Sequence, residues 1–477
     1  MSRNGSGTYT LPAGNPVVTG TTIASTWANN TLSDIASALT DSVAADGQTA
    51  MTGNLNLNSN KIVNVADPTL AQDAATKNYS DTTYLAKASN LSDVANATTA
   101  RTNISAAKSG ANSDITSLTG LTTPLSQAQG GTGTTTGYYG FKNRIINGAM
   151  VIDQRGGTVT GNDSAYSLDR WKASCVPDGK FTMQQSSTAP TGFINSMLVT
   201  STSAYSVASS DFIGIRQDIE GLNCTDLAWG TAQAKTITLS FQVYSSLTGN
   251  FGGSLFNNAG NRSYPFSYTI SSANTWTTVS VTIAGDTSGT WLTTNGRGIC
   301  VFFSLGSGSS NSGTANAWAG SFLAQPTGST SVVGTNGATF YITGVQLEVG
   351  STATSFDYRP YGTELSLAQR YYFRVGAPNT GYHGFGAGTA QNSTTVVTYV
   401  KLPVTMRSVP TGSYGGTINL LSSALTSPSS LGITASSGTY VDALRVDFVT
   451  AGQTAAGGIC AYTNNTASDF IQFSAEL

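Results

Sequence analysis

Between Leu55 and Leu125 the chain carries apolar side chains too thinly to close a core around one copy. In MTGNLNLNSNKIVNVADPTLAQDAATKNY (51–79), Leu55, Leu57, Ile62, Val63 and Val65 alternate with asparagine, a period-two pattern that predicts short strands. Asp67-Pro68 ends the extended stretch, and Leu70 to Tyr79 reads as a helical turn or two. NLSDVANATTARTNIS (90–105) adds only Leu91, Val94, Ala95 and Ile104. Within 109–137, Ile115, Leu118, Leu121 and Leu125 recur at spacings of 3, 3 and 4. Read alone, such a segment also fits a flexible linker. A trimeric shaft explains the sparse seam better, because three copies of a stripe enclose a core that one stripe cannot.

Upstream, Thr8–Pro12 and Asn15–Gly20 are β-like, and a helix is predicted from Leu32, Ile35, Ala36, Leu39 and Val43. Thr31 or Ser33 would cap it, with Asp34 in the first turn. The helix is short and poor in charge, so it needs a partner for its apolar face.

From Tyr138 the aromatics become dense. Strand-like runs recur at Ile213–Ile219, Thr236–Tyr244, Trp276–Ile283, Ile299–Ser304 and Phe340–Glu348, separated by Gly/Ser/Asn/Thr loops. In the second run Ile237, Leu239, Phe241 and Val243 alternate with polar residues, so one face is buried; the pattern is that of a β-sandwich. After a predicted helix at Glu364–Arg370, further strands fall at Thr395–Leu402, Ala443–Val449 and Asp469–Leu477. In the last, Ile471, Phe473, Ala475 and Leu477 share a face, which marks a structural C-terminus.

Composition narrows the function. Charged residues are 10% of the 477, against about 25% in ordinary soluble chains, and the net charge is −2. A generic nucleic-acid binder needs a basic surface and is excluded. With 39% hydrophobic residues, including 20 Tyr, 18 Phe and 6 Trp, the chain builds real cores and is no disordered tail. The start lacks the apolar core of a signal peptide, and no run of about 18 apolar residues would span a membrane. Cys175, Cys224, Cys300 and Cys460 are far apart and form no CxxC pair, so buried free thiols are expected rather than a disulfide framework or a zinc site.

Catalytic chemistry finds little footing. Glycoside hydrolysis needs paired carboxylates about 5–9.5 Å apart. The acids that come nearest in sequence are Asp163 with Asp169, and Asp211, Asp218 and Glu220; surface solubility or turn hydrogen bonds account for them more simply. His383 is the only histidine and no G-x-S-x-G occurs, so neither a serine hydrolase nor a His-rich metal site is expected. The glycine runs Gly384–Gly388 and Gly130–Gly133 read as turns. No cofactor is implied.

Sugar binding demands less: a flat aromatic face for the apolar side of a pyranose, with polar side chains beside it. Candidates in the sandwich are Trp291 and Trp318, near Asn295 and Asn316. In the last domain the loop 376–392 sets Tyr382, His383 and Phe385 among glycines, and Tyr414, Tyr440 and Tyr462 are flanked by Gly, Thr or Asn. For any single ring, burial in a core or a trimer interface is the plainer explanation. The set Tyr382–Phe385 is the best candidate, because a Gly-rich loop offers rings little to bury against. Trp171 and Trp276 read as core.

Several stretches resemble phage tail-fibre sequence. GTYTLPAGNPVVTGTTIASTWANNTLSDIASALTDSV resembles the module by which fibres join the virion, and 51–79 resembles the fibre repeat ending in DAATKxY. NLSDVANATTARTNIS and SGANSDITSLTGLTTPLSQAQGGTG resemble shaft segments. NRIINGAMVIDQRGG, YSLDRW (166–171) and GVQLEVGSTATSFDYRPYGTELSLAQRYY (344–372) resemble the fibre-borne β-sandwich that is similar to a carbohydrate-binding module; LPVTMRSVP (402–410) resembles the tip domain that follows it. The resemblance implies a mainly β, elongated homotrimer. Residues 1–46 would dock to a tail, adaptor or portal-proximal protein, 47–137 form the shaft, 138–363 the sandwich and 364–477 the tip. The expected function is non-enzymatic, multivalent adsorption to a bacterial surface polysaccharide or lipopolysaccharide, without nucleic acid or membrane insertion. The protein would be made in the host cytoplasm and carried on the virion tail. The rival readings are a polysaccharide depolymerase, a structural fibre whose receptor reader is another protein, and, more weakly, a bacterial adhesin.

Overall fold

The computed structural model describes residues 18–40, 54–83, 96–103, 141–378, 380–422, 425–434 and 441–477. Residues 1–17, Leu91, Val94, Ile104, the Ile115–Leu125 seam, the Gly130–Gly133 run and Tyr440 lie outside the described residues. The chain divides into two compact units, Met1–Gly120 and Leu121–Leu477.

Among its described residues the first unit contains three helices, α1 (Ser25–Thr40), α2 (Lys77–Thr83) and α3 (Ala97–Asn103). α1 begins earlier than the spacing of its apolar residues predicts. Ala24 O accepts from Trp27 N and Ala28 N at 3.1 and 3.2 Å, so Thr31 and Ser33 sit in the helix body and not at its N-terminus. The strands expected near Leu55–Val65 are absent from residues 54–76. Asn58, Ser59 and Asn64 take positive φ (44°, 66° and 62°), and such left-handed residues interrupt an extended run. Period-two alternation also needs a neighbouring strand, and the described residues of this unit supply none. Leu32, Leu39, Leu55, Ile62, Val63 and Leu70 are all exposed. After Pro68, Asp73 Oδ2 accepts from the backbone N–H groups of Leu70 and Thr69, both at 2.8 Å, and those bonds hold its carboxyl below the usual range.

The second unit is mainly β. Its first strands are β1 (Val159–Thr160), β2 (Lys172–Val176), β3 (Phe181–Ser186), β4 (Ser196–Ser201), β5 (Phe212–Glu220), β6 (Ile237–Ser245) and β7 (Gly249–Asn257). They continue with β8 (Ser263–Ile270), β9 (Thr277–Ile283), β10 (Arg297–Ser307), β11 (Ser312–Gly313), β12 (Gln325–Pro326) and β13 (Thr339–Val349). A six-stranded sheet, β1-β3-β4-β13-β6-β9, faces a five-stranded sheet, β2-β5-β10-β7-β8. Ile237, Leu239, Phe241 and Val243 of β6 point inward as their alternation predicts, against Ile299, Val301, Phe303 and Leu305 of β10. The rings of Phe241 and Phe303 meet edge to face at 5.0 Å. Trp171 is fully buried here, whereas Trp276, expected in the core, is half-buried on the outer side, packed with Tyr244 and Tyr341. The outer face of the five-stranded sheet is itself covered: Phe256, Cys300, Phe302 and Ala324 form a second small core, closed by Phe212 and Phe322.

The motifs NRIINGAMVIDQRGG, YSLDRW and the 344–372 stretch meet in one buried polar junction. Asn147 Oδ1 accepts from Ile152 N at 2.9 Å, and its Nδ2 donates to the carbonyls of Ile152 and Asp169 at 2.8 and 3.0 Å. Trp171 Nε1 donates to Asn147 O at 3.0 Å, and Asn147 N donates to Glu364 Oε1. These bonds tie the three motifs to one another.

Helix α4 (Tyr361–Gln369) leads into the tip. Its strands are β14 (Tyr372–Gly376), β15 (Gly384–Ala390), β16 (Thr395–Met406), β17 (Thr411–Gly415), β18 (Ile418–Leu421), β19 (Leu425–Thr426), β20 (Ser430–Thr434), β21 (Val441–Val449), β22 (Gly458–Thr463) and β23 (Phe470–Ser474). Three form one sheet, β14-β23-β17; seven form another, β19-β18-β22-β15-β16-β21-β20. Their shared core includes Phe385, Val396, Val400, Leu444, Phe448, Ile471, Phe473 and Ala475. Leu477, grouped by alternation with those last residues, packs instead with Ile152 and Tyr371. The glycine run Gly384–Gly388, read as a turn, is a central strand. A Cβ at Gly388 would lie 1.8 Å from Val397 O, so glycine there permits close approach of the neighbouring backbone.

Acid–base pairs join the tip to the sandwich. Glu476 takes Arg155 at 2.7 Å and also Arg170, while Glu220 accepts two bonds from Arg370, at 2.9 and 2.7 Å, and one from Tyr371 OH at 2.6 Å.

Candidate binding face of the tip sheet

The seven-stranded sheet buries one face and leaves the other open. On β16, Val396, Val400 and Leu402 point into the core, so the intervening Tyr399 and Lys401 point out. The register sets Cys460, Ala387, Tyr399 and Arg445 side by side across β22, β15, β16 and β21. Tyr462 lies farther along β22, opposite Gly384. Tyr399 and Tyr462 are thus two strand spacings apart across the sheet and two residues offset along it, about 12 Å in all. Only small side chains, Gly384 and Ala387, stand on β15 between them.

Tyr382 completes the face. Its ring meets that of Tyr462 edge to face at 5.9 Å, yet it stays 68% exposed, and Tyr399 is 62% exposed. Thr463, fully buried, holds this turn in place. Its Oγ1 accepts from His383 N at 3.2 Å and donates to Gly381 O at 3.4 Å, and its N–H donates to His383 O at 3.0 Å. Beside Tyr399, Arg445 Nε donates to Asp447 Oδ1 at 2.8 Å; that bond keeps the guanidinium protonated beyond its ordinary range. Rings at both ends, a floor of small residues and one fixed ion pair suit a ligand with an apolar face and hydroxyl edges.

The sequence candidates distribute unevenly. Tyr382 and Tyr462 come together on this face, and the backbone of His383 anchors them, while its Nε2 is buried without a hydrogen-bond partner among the described residues. Phe385 is core, with its ring 6.2 Å from Phe448, so it offers nothing to a ligand. Tyr414 is half-buried against the tip core and donates to Pro428 O at 3.0 Å. Tyr440 lies outside the described residues. Trp291 and Trp318 pack with Trp229 on the sandwich at centroid distances of 4.7–5.6 Å. Their indole N–H groups are spent, on Asp286 and Ser288 for Trp291 and on Ala284 O for Trp318. Sequence reasoning passed over Tyr399, although the alternation of Val396, Val400 and Leu402 marks it as outward.

The acids weighed for catalysis are each engaged. Asp169 is fully buried, accepts from Gln154 N and Nε2 at 2.7 Å each, and is raised to about 6, chiefly by burial. Burial pushes Asp218 up too, but Lys172 at 2.8 Å and Arg216 at 3.3 Å outweigh it and hold the carboxyl low. Asp211 accepts from Tyr205 OH and Ala208 N, both at 2.7 Å. Asp163 accepts from Cys175 N at 3.2 Å. Cys175 and Cys224 are pushed up to about 12 by burial, and Cys300 is likewise raised; Cys460, expected to be buried, is exposed on the open face.

No family model matches the sequence, and no curated protein matches it. Solved structures do. The enzymatically active domain of tailspike protein 4 from bacteriophage CBA120 is similar at 12% identity and a TM-score of 0.24, over 44% of this chain and 22% of that one. A putative sugar-binding protein from Bacteroides thetaiotaomicron VPI-5482 is similar at 14% identity and a TM-score of 0.26, over 44% of this chain and all of that one. A carbohydrate-binding module in complex with β-1,4-galactotriose is similar at 10% identity and a TM-score of 0.23, over 44% of this chain and 99% of that one. Likeness at these TM-scores carries no argument about what this chain binds.

Proposed function

We propose that this chain is a non-enzymatic phage tail fibre that adsorbs to a bacterial surface polysaccharide or lipopolysaccharide through the open face of its tip sheet. One observation carries the reading: Tyr399 stands exposed on the sheet and Tyr382 on the turn that leads into it, at either side of a floor of small residues. A solvent-facing tyrosine on such a floor has nothing of its own chain to cover it, and a pyranose face fits it. Three chains would assemble, residues 1–46 would dock to the tail or an adaptor, and the fibre would act on the virion tail. The apolar side chains left exposed in the first unit, Leu32, Leu39, Leu55, Ile62, Val63 and Leu70, favour assembly with further copies. Weak single sites then multiply into useful avidity.

The test uses the full chain. Light scattering should give about three times 49.1 kDa. Tyr399→Ala should leave the fold intact and weaken binding of the purified protein to host cells about tenfold per site. Undiminished binding by Tyr399→Ala with Tyr382→Ala would sink the tip reading. Release of reducing ends from host polysaccharide would point to a depolymerase, and absence of any cell binding to a structural fibre read by another protein.

A further inference from the structure

A second aromatic site lies on the sandwich, independent of the tip face. Phe193, Ile194, Phe356, Tyr358 and Tyr361 wall a cavity of about 320 Å³. Phe193, Phe356 and Tyr358 pack against one another at centroid distances of 4.8–5.5 Å, and Tyr358 OH donates to Gly192 O, so this wall is fixed in place. Ile194 at the mouth is 73% exposed and Tyr361 61%. The volume is at the lower end for small-ligand pockets, room for one hexose-sized group and no longer chain.

The polar groups of the lining narrow the ligand. The two Nη atoms of Arg359 are committed, to Glu364 at 3.1 Å and to the carbonyls of Ile145 and Asn143, whereas its buried Nε makes no hydrogen bond among the described residues. Asp357 is different. Its Oδ2 accepts from Asn143 N at 3.2 Å and lies 3.9 Å from Arg359 Nε, but its Oδ1 has no partner among the described residues. An acceptor with negative charge disfavours anions and asks for a donor. A ligand that satisfies all of this carries a small apolar group for the ring-lined interior, an N–H for Asp357, and a flat face for Tyr361.

We infer that this cavity binds a 2-acetamido sugar, with the acetyl methyl among Phe193, Phe356 and Tyr358, the amide N–H donating to Asp357 Oδ1, and the pyranose against Tyr361. Such a site would add a second sugar contact to each chain, for a different residue of a glycan from the one at the tip.

Titration of the full chain with N-acetylglucosamine and with glucose, read by calorimetry and by saturation-transfer NMR, tests this. N-acetylglucosamine should bind at least tenfold tighter than glucose, with the strongest transfer at the acetyl methyl. Asp357→Asn and Tyr361→Ala should each weaken it about tenfold, and Tyr399→Ala should not change it. Tyr361 is exposed, so its alanine variant folds even if Asp357→Asn does not. Equal affinity for the two sugars, no binding at all, or loss only with Tyr399→Ala overturns the assignment. A fall in oligomer mass on Tyr361→Ala also overturns it, because the patch is then an interface between copies.

Discussion

Sandwich and tip are both built from two antiparallel sheets around an aromatic core, yet they treat their outer faces oppositely. The sandwich covers the far side of its five-stranded sheet with Phe212, Phe256, Phe302 and Phe322, and spends its charges on buried pairs. The tip leaves its seven-stranded sheet bare, with tyrosines and small residues outward. In the first body polar and aromatic side chains specify a fold. On the open face of the second, Tyr382 and Tyr399 are left exposed, and that freedom is what makes them candidates for recognition.

Substitutions can break this contrast. The largest effect is expected at Glu220, which ties β5 to Arg370 and Tyr371. Glu220→Ala should cost about 3 kcal/mol, at the low end for a broken buried pair because Arg370 keeps some contact with water. Denaturant unfolding measures it, and a change under 0.5 kcal/mol would show that the junction is not what holds the bodies together.

Asp169 gives a smaller effect with a definite sign. Its folded pKa, about 6, lies above the ordinary 3.8, so the folded chain holds the proton more tightly. Its contribution is therefore complete below about pH 4 and is lost as pH rises towards 6. Asp169→Asn removes that loss, and the variant's stability at pH 7 relative to pH 4 should exceed the wild type's by about 2 kcal/mol. Parallel stability–pH curves would refute the burial argument. The smallest effect on stability, near zero, is expected at Cys460. A maleimide should label one thiol per native chain, since Cys175, Cys224 and Cys300 are buried, and the adduct should block cell binding because it stands in the same row as Tyr399. Rapid labelling of further thiols, or full binding by the labelled protein, would count against the two faces being so different.

Period-two alternation made β6 and much of β16 legible, because one face is apolar and the other polar. The Gly384–Gly388 run was misread since glycine's usual meaning is a turn; here it admits close backbone packing at Gly388, a tertiary fact invisible locally. The strands expected around Leu55 fail for the converse reason: the local pattern is strand-like, but sheet formation depends on a neighbour that the described residues of this unit do not provide. Phe385 shows the limit for the site. Its loop-like surroundings hid the fact that β15 turns its side chain inward, while Tyr382, three residues earlier, stays out. Tyr358 and Tyr361 sat inside a recognisable motif, but the cavity they wall also requires Phe193, distant in sequence.

From Tyr399 to Leu402 β16 alternates out and in, and that rhythm carries an evolutionary consequence. Tyr399 and Lys401 can be exchanged without disturbing Val400 or Leu402, so the open surface can change one outward position at a time while the scaffold persists unchanged.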